Sequence, residues 1–521
     1  MERIVVAGAG TMGAGLAFVA ASAGFSVDLI DPDESARSRA KERLAKAAQR
    51  AGRAAPANVN YYDRVPVGVD AVLAIEAVPE RLELKRSIFD IFASTLPSTT
   101  LLATNTSSLS VSDIGEGVAR PERVLGLHFF NPPEAMRLVE VVRGAHTSEE
   151  TLERGRAFVE RFGKVAVTTA DTPGFIVNRV ARPYYLQALR AYGSQTASME
   201  TIDAIARGAG FRMGPFELMD FIGLDVNLAT SESLYERTGE KRFAPVELQR
   251  TLVARRQLGR KTGSGFYAYA GASTADAPKP LTRSIAGSGE RVTIVGSSAV
   301  GAELAQMLGE RVENVILCEN EEMTDEIPLD TTIAIDVGAG SEDRGSVLAE
   351  LDKLLDPEAI ILADAYATDV TAAARRMILP ERLVGYGVLG AIDAQSVVEI
   401  VPAEASSGDA VDVAQEVFET IDKRVELVQD KAGLVLGRIV GSIVNEAVIA
   451  AAEGVASADD IDLAMRLGTN YPRGPLAWGK EIGGDRIVRI LQRLAGAEGA
   501  AFAPHRALWA LDAPESVPAD A

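Results

Sequence analysis

The sequence predicts a duplicated architecture: an α/β domain with a mainly parallel sheet, then an all-helical domain, and then the same pair again. Three observations carry this. Apolar strand-like runs alternate with helical stretches from IVVAGAG at Ile4 to VAVTTA at Val165, the pattern of a parallel sheet covered on both faces. After Asp171 strand character ends, and PGFIVNRVARPYYLQALRAYG and SMETIDAIARGAG have helical spacing. Then the order repeats. Gly8 and Gly13 match Gly296 and Gly301, each 288 residues on, while PERVLG at Pro121 returns as PERLVG at Pro380 and VEVV at Val139 as VEIV at Val398, each 259 residues on. PGFIVNR returns as AGLVLGR, and Ile202 to Pro215 as Ile461 to Pro475. Matches in the same order across both fold types indicate an internal duplication.

The expected domains are 1–171 (sheet), 172–270 (helical), a linker at 271–290, 291–430 (a degenerate second sheet domain) and 431–510 (second helical domain). The linker follows from its Ala, Ser, Thr, Pro and Gly content. DAPESVPADA, from Asp512, reads as an acidic tail.

The 521 residues suit about three or four domains at roughly 150 residues each. With 53 Lys+Arg against 73 Asp+Glu, the net charge is −20, which argues against a nucleic-acid binder while allowing a local basic pocket. A single cysteine, Cys318, forms no internal disulfide, and no Cys/His cluster suggests a metal. No basic region and apolar core precede the Ile4–Ala9 run, and no long uncharged apolar stretch occurs. The expectation is a soluble cytoplasmic protein without a membrane segment.

Gly8-Ala9-Gly10-Thr11-Met12-Gly13 is G-x-G-x-x-G directly after a strand and opening a helix. Gly8 permits the tight turn, Gly10 lets the backbone approach a pyrophosphate, Gly13 allows close helix–sheet packing, and the helix N-terminus faces the anion. Asp31, ending the second strand, stands where a carboxylate bonds the ribose hydroxyls and repels a 2′-phosphate, favouring NAD over NADP. These features define a Rossmann domain. In the second copy Ser298 replaces Gly10, setting a side chain where the phosphate should approach, although Glu319 still matches Asp31.

Of three histidines, His146 lies in a polar loop and His505 near the C-terminus. His128, in LGLHFFNP, ends an apolar strand of the sheet domain, where open α/β sheets carry their ligand sites. A lone histidine there is more often a satisfied core residue, so it needs a partner. Glu140, in RLVEVV, is an acid inside a strand with apolar neighbours, a costly placement unless paired. Paired to His128, it would orient the imidazole as a general base for an alcohol.

NTSSLS at Asn105, LHFFNPP at Leu127, LVEVV at Leu138, DTPGFIVNR at Asp171, MGPFELMD at Met213 and GRKTGSGFY at Gly259 resemble the signature blocks of the L-3-hydroxyacyl-CoA dehydrogenase family. The resemblance covers the first 270 residues with every block in order. The duplicated pattern resembles the long 3-hydroxybutyryl-CoA dehydrogenases, including the 3-hydroxyadipyl-CoA dehydrogenases of phenylacetate degradation. The resemblance implies NAD-dependent oxidation of an acyl-CoA substrate. Ser107 would bond the substrate's 3-oxygen, His128 would take its proton, Glu140 would hold His128, and Asn178 would orient the reacting group. It also implies NAD contacts for Glu80, Lys85, Asn105, Asn131 and Lys261, beside Gly8, Gly10, Thr11, Met12, Gly13 and Asp31. In the second copy Ala367 is matched to Ser107, Gly387 to His128 and Gly437 to Asn178, while Glu399 retains Glu140. That half is expected to perform no chemistry. Family dimers pair through their helical domains, so the segments near Ile202 and Ile461 are expected to share an interface as an internal pseudo-dimer, with further homo-oligomerisation open.

Arg39, Arg43, Lys46 and Arg50 form one stripe of a helix, with Ala36, Ala40, Leu44 and Ala47 on another face. A solvated surface is the ordinary reading. The resemblance implies that this helix, Arg43 and Lys46 above all, helps bind CoA. Two other readings stay open: a free hydroxy-acid dehydrogenase of the gulonate dehydrogenase and λ-crystallin type, and a nucleotide-binding scaffold without catalysis.

Overall fold

The computed structural model describes residues 1–269, 284–319, 326–338 and 343–512. The expected linker as far as residue 283, and the acidic tail beyond Asp512, lie outside the described residues.

The first sheet comprises β1 (Arg3–Ala7), β2 (Ser26–Ile30), β3 (Val59–Tyr62), β4 (Leu73–Glu76), β5 (Leu101–Thr104), β6 (Val124–Phe129), β7 (Leu138–Arg143) and β8 (Val165–Ala170). Their spatial order is β3-β2-β1-β4-β5-β6-β7-β8. All neighbours are parallel except β6 and β7. β1, β4 and β5 are almost wholly buried, as central strands covered on both faces must be. Strand order reverses between β1 and β4, which places a ligand crevice at their C-terminal ends. Helix Thr11–Ser22 is built of small and apolar residues buried against the sheet. Helix Glu34–Arg50 starts at Asp33, whose carboxylate accepts Ser35 N, and buries the expected Ala36, Ala40, Leu44 and Ala47 face.

The second sheet comprises β9 (Arg291–Val295), β10 (Asn314–Cys318), β11 (Ile333–Asp336), β12 (Ile360–Asp364), β13 (Leu383–Gly387), β14 (Val397–Pro402) and β15 (Arg424–Leu427), in the order β10-β9-β11-β12-β13-β14-β15. Only β13 and β14 are antiparallel. The offset between copies falls from 288 to 260 in the stretch between the second and third matched strands, Leu73–Glu76 matching Ile333–Asp336, and is 259 from the next strand on. The first copy there holds helix Glu34–Arg50 and β3, whereas only residues 319 to 332 separate β10 from β11.

The chain packs as two compact units that cut across the expected domains. One contains residues 1–180, 236–238 and 450–470; the other contains 181–235, 239–449 and 471 onward. Each unit therefore includes helices of the opposite half. In the first, Ala170 N, ending β8, donates to Val455 O at 2.8 Å. In the second, Gln429 N, just past β15, donates to Thr196 O at 2.8 Å. The two bonds are equivalent by the 259-residue offset. The helices around Ile202 and Ile461, expected to share an interface, thus fall in different units, as an exchange of helices between the two halves. Helix Met199–Gly208 lies on β14 and β15, and helix Ala458–Gly468 on β7 and β8. Other parts of the helical segments do meet within the second unit. Arg242 pairs with buried Glu446 at 2.7 Å, and Phe211 packs against Tyr471 and Trp478. Among the described residues no helix is long and apolar enough to cross a membrane.

The degenerate half is filled rather than hollow. Matching the helix caps Ser110 and Asp369 aligns Ser107 with Tyr366, which corrects the match to Ala367 by one residue. The Tyr366 ring occupies the space that Gly437 leaves: a Cβ on Gly437 would fall 2.4 Å from Tyr366 Cε1, whereas a Cβ on Gly387 would meet Leu434 Cδ1 at 3.0 Å and Glu399 Cβ at 3.2 Å. Its hydroxyl donates to Glu399 and accepts from Gly437 N at 3.1 Å. Burial pushes Glu399 up to about 7. Replacement Tyr366→Phe should cost about 1–3 kcal/mol of stability, because it strips a buried carboxyl of a partner, while turnover stays unchanged. Chemical denaturation alongside steady-state assays checks this, and a loss of turnover would show that the second half takes part in the reaction.

Candidate active site

The glycine turn leaves β1 into helix Thr11–Ser22 with the expected constraints. Gly8 has φ +101°, and a Cβ on it would lie 2.6 Å from Ala77 O. A Cβ on Gly13 would lie 1.8 Å from Gly8 O. Gly10 faces open space, with no atom within 4 Å of an added Cβ. Beside it is a cavity of about 740 Å³ bordered by Gly10, Thr11, Met12, Asp31, Pro79 and Ile88. Gly10 caps the helix without a side chain, so the first-turn N–H groups are available to an anion. Asp31 Oδ2 accepts Ala9 N at 2.8 Å and Oδ1 accepts Asp33 N at 3.0 Å, fixing the carboxylate at the cavity edge. A side-chain-free approach, a helix N-terminus and a carboxylate placed for ribose hydroxyls fit NAD.

Arg43 borders this cavity and also a smaller one of about 230 Å³, which it shares with Lys46, Arg50, Thr11 and Pro132. The basic stripe thus reaches two cavities, with Lys46 on the smaller only.

The antiparallel pairing of β6 with β7 sets His128 directly opposite Glu140. His128 Nδ1 lies 2.6 Å from Glu140 Oε2, and both side chains are buried. Glu140 Oε1 accepts Ile176 N at 3.0 Å and Val177 N at 2.9 Å. A carboxylate that accepts at Oε2 requires Nδ1 to carry the proton, leaving Nε2 as the basic nitrogen. Phe175, just before these donors, has φ +50°, a strained conformation for an aromatic residue that aims two consecutive N–H groups at one oxygen.

Asn178 Nδ2 lies 3.5 Å from Ser107 O, so these two residues are adjacent. The Ser107 turn is held from two sides. Glu80 Oε1 accepts Ser107 N at 3.0 Å, Ser108 N at 3.1 Å and Ser108 Oγ at 3.0 Å. Asp171 accepts Ser110 Oγ, Val111 N, Ser112 N and Ser112 Oγ at 2.7–3.0 Å, capping the short helix behind the turn. Asp171 and Glu76 are organising residues that the sequence reading missed, although Glu76, an acid in the apolar strand LAIE, carries the same signal that singled out Glu140.

The remaining predicted residues divide. Lys85 is not on an exposed face: it is 1 % exposed and bonds Glu76 at 2.8 and 3.0 Å, Glu80 at 3.1 Å and Val78 O at 3.3 Å. With its donors occupied it holds Glu80 in place. Asn105 Oδ1 accepts Phe129 N at 2.9 Å, tying the end of β5 to the end of β6. Asn131 is exposed in the loop after β6. Lys261 belongs to the second unit, where it pairs with Asp225.

A Rossmann crevice and a buried His–Glu pair on the same sheet are the parts of a dehydrogenase of alcohols. Residues 3–172 and 341–431 match the 3-hydroxyacyl-CoA dehydrogenase NAD binding domain, and 174–269 and 433–514 match the C-terminal domain. The chain belongs to the 3-hydroxyacyl-CoA dehydrogenase family and is an NAD-dependent enzyme of that class. It is 38% identical over 506 residues to the 3-hydroxyadipyl-CoA dehydrogenase of Escherichia coli (strain K12), covering 95% of this chain and 94% of that one. Over 280 residues it is 39% identical to a probable 3-hydroxybutyryl-CoA dehydrogenase of Bacillus subtilis (strain 168), 52% of this chain and 98% of that one. The crystal structure of 3-hydroxybutyryl-CoA dehydrogenase from Escherichia coli K12 substr. MG1655 is similar at TM-score 0.79 and 35% identity, covering 97% of each chain.

Burial works to raise the Glu80 carboxyl, but Lys85 and the Thr106 and Ser108 hydroxyls outweigh it and lower it to about 2. The unfolded chain takes up this proton near 4.5, so the stabilisation is complete above 4.5 and lost as pH falls towards 2. Glu80→Gln should cost about 2 kcal/mol at pH 7, discounted for the 35% exposure of its side chain. Unfolding measured between pH 2 and 7 should show a shallower acid limb in the variant; an unaltered limb would remove this role.

Proposed function

We propose that the enzyme oxidises an L-3-hydroxyacyl-CoA of short or ω-carboxylated acyl chain to the 3-oxoacyl-CoA. The observation that carries the mechanism is the buried His128–Glu140 pair, with Ser107 and Asn178 adjacent to each other in the same unit. His128 Nε2 takes the proton of the substrate's 3-hydroxyl as general base. Glu140, fixed by two backbone donors, holds the imidazole tautomer and stabilises the imidazolium that forms. The Ser107 hydroxyl and the Asn178 amide bond the 3-oxygen and orient the reacting carbon. NAD, when bound, supplies the hydride acceptor. Gly8, Gly10, Thr11, Met12 and Gly13 would hold its pyrophosphate and Asp31 its adenosine ribose, with Asn105, Asn131 and Glu80 serving the remainder and Lys85 acting through Glu80.

The full-length likeness to a 3-hydroxyadipyl-CoA dehydrogenase favours a dicarboxylic acyl chain. Replacement His128→Ala should lower turnover by about 10³-fold while NAD binding, read by fluorescence titration, stays within about twofold. In the same assay the parent should form NADH from 3-hydroxyadipyl-CoA and 3-hydroxybutyryl-CoA, and not from free 3-hydroxybutyrate. Turnover by His128→Ala would defeat the mechanism, and oxidation of the free acid would favour the gulonate-dehydrogenase-like reading.

We also propose that the basic stripe receives CoA phosphate at the smaller cavity. Because Arg43 also borders the cofactor cavity, Lys46 separates the two roles. Lys46→Glu should raise the KM for acyl-CoA about tenfold, the weight of one charge-assisted bond, with the KM for NAD unchanged. Equal values for the variant and the parent would leave the stripe a solvated surface.

A further inference from the structure

The first unit contains one segment of the non-catalytic half, residues 450–470, and it meets the frame of the His128–Glu140 pair at three places. Arg179, next to Asn178, pairs with Glu453 at 2.7 Å. Val455 O accepts Ala170 N at 2.8 Å, one residue before Asp171, whose carboxylate caps the helix behind Ser107. Gly468, ending helix Ala458–Gly468, sits so close to β7 that a Cβ on it would fall 2.9 Å from Leu138 Cδ2 and 3.0 Å from Val177 Cγ2. Leu138 precedes Glu140 by two residues on β7, and so points to the same face. Val177 N is a direct donor to Glu140.

We infer that this segment of the second half is a positioning element for the catalytic base, holding Glu140 and Asn178 through Gly468, Val455 and Glu453. The inference rests on His128 as the base. Helix Val177–Val180 is a single turn, too short to be stable unaided, and Phe175 at its entry is strained. Its order must come from tertiary contacts, and helix Ala458–Gly468 packs directly on it. Displacing a catalytic group by about 1 Å can cost on the order of 10²-fold in rate.

The duplication supplies a matched control. In the second unit, a Cβ on Gly208 of helix Met199–Gly208 would fall 2.5 Å from Val397 on β14, and Ser396 N donates to Gly208 O at 2.9 Å. That sheet carries no histidine, so the same lesion there disturbs packing alone. The test compares Gly468→Leu with Gly208→Leu in the full chain, with Gly468→Ala and Glu453→Gln as milder variants that decide the matter if Gly468→Leu does not fold. The readouts are kcat, the KM for NAD, the pH profile of kcat/KM and the melting temperature. The expected result is a kcat loss of about tenfold or more for Gly468→Leu, a displaced pH profile and an unchanged KM for NAD. Gly468→Ala and Glu453→Gln should move kcat and the profile in the same direction by less, with Glu453→Asp restoring the parent values. Gly208→Leu should lower the melting temperature while kcat and profile stay at parent values. Parent kcat and profile in all position-468 and position-453 variants, or an equal kcat loss in Gly208→Leu, would overturn the inference. Failure of the underlying reading is told apart by His128→Ala, which would then keep its activity.

Discussion

The site depends on satisfying one buried charge. Glu140 is wholly buried, and an unpaired carboxylate in such a place costs several kcal/mol. Its three partners are His128 Nδ1, Ile176 N and Val177 N. They come from the neighbouring strand and from the chain beyond β8, so satisfying this one side chain fixes three separate pieces relative to one another. It also fixes the register of β6 against β7, since a slip of one residue would turn His128 to the opposite face. The second copy shows which demand is structural. There the histidine is gone, yet Glu399 keeps the equivalent backbone donors, Val435 N at 2.8 Å and Leu436 N at 3.4 Å, and takes a third hydrogen bond from Tyr366. Even the strained entry is retained, with Leu434 at φ +49° against +50° for Phe175. The carboxylate organises the fold with or without a histidine beside it, so the His128–Glu140 pair is built on a fixture that the architecture already requires.

Around this fixture, loops at strand ends are held by other carboxylates. Glu76 anchors Lys85, Lys85 holds Glu80, and Glu80 gathers the backbone of the Ser107 turn. Asp171 secures the far side of the same turn. A serine on an exposed loop gains a defined position in this way, which is the general means by which rigid scaffolds place functional loops. The pattern also has one charged residue that the resemblance gives as a cofactor contact, Lys85, spent on holding another, Glu80. The ammonium of Lys85 is consumed by two carboxylates before any ligand arrives.

Much of this was legible in the sequence, and the exceptions have identifiable causes. Buried central strands, the glycine turn with Asp31, and an acid inside an apolar strand all leave periodic or compositional marks. β3 left little, because VNYY is a four-residue edge strand with only Val59 fully buried. The carboxylate partners of Lys85 left no mark, because a lysine early in an amphipathic helix looks the same whether it meets water, a ligand or a carboxylate on a neighbouring strand. The match of Ser107 to Ala367 slipped by one residue because turns have no periodicity to fix their register; the caps Ser110 and Asp369 supply it. The exchange of helices could not be read at all. Helices Met199–Gly208 and Ala458–Gly468 carry the same apolar pattern, and nothing in either one says which copy of the sheet it will cover.

That exchange accounts for a second half that lacks the histidine and keeps the fold. β8 and β15 are edge strands in their sheets, and an uncovered edge strand exposes both an apolar face and unpaired backbone groups. At each edge the cover comes from the opposite half: Val455 O answers Ala170 N in one unit, and Thr196 O answers Gln429 N in the other. Neither copy contains in its own sequence the segment that finishes its sheet. The absence of a histidine there leaves the architecture intact, because Tyr366 fills the room at Gly437 and satisfies Glu399. Losing the second half would instead uncover β8 and remove the contacts of Gly468 with Leu138 and Val177. The constraint on that half is thus to keep its helices and sheet, with no requirement on its active-site residues, and this is the pattern its sequence has.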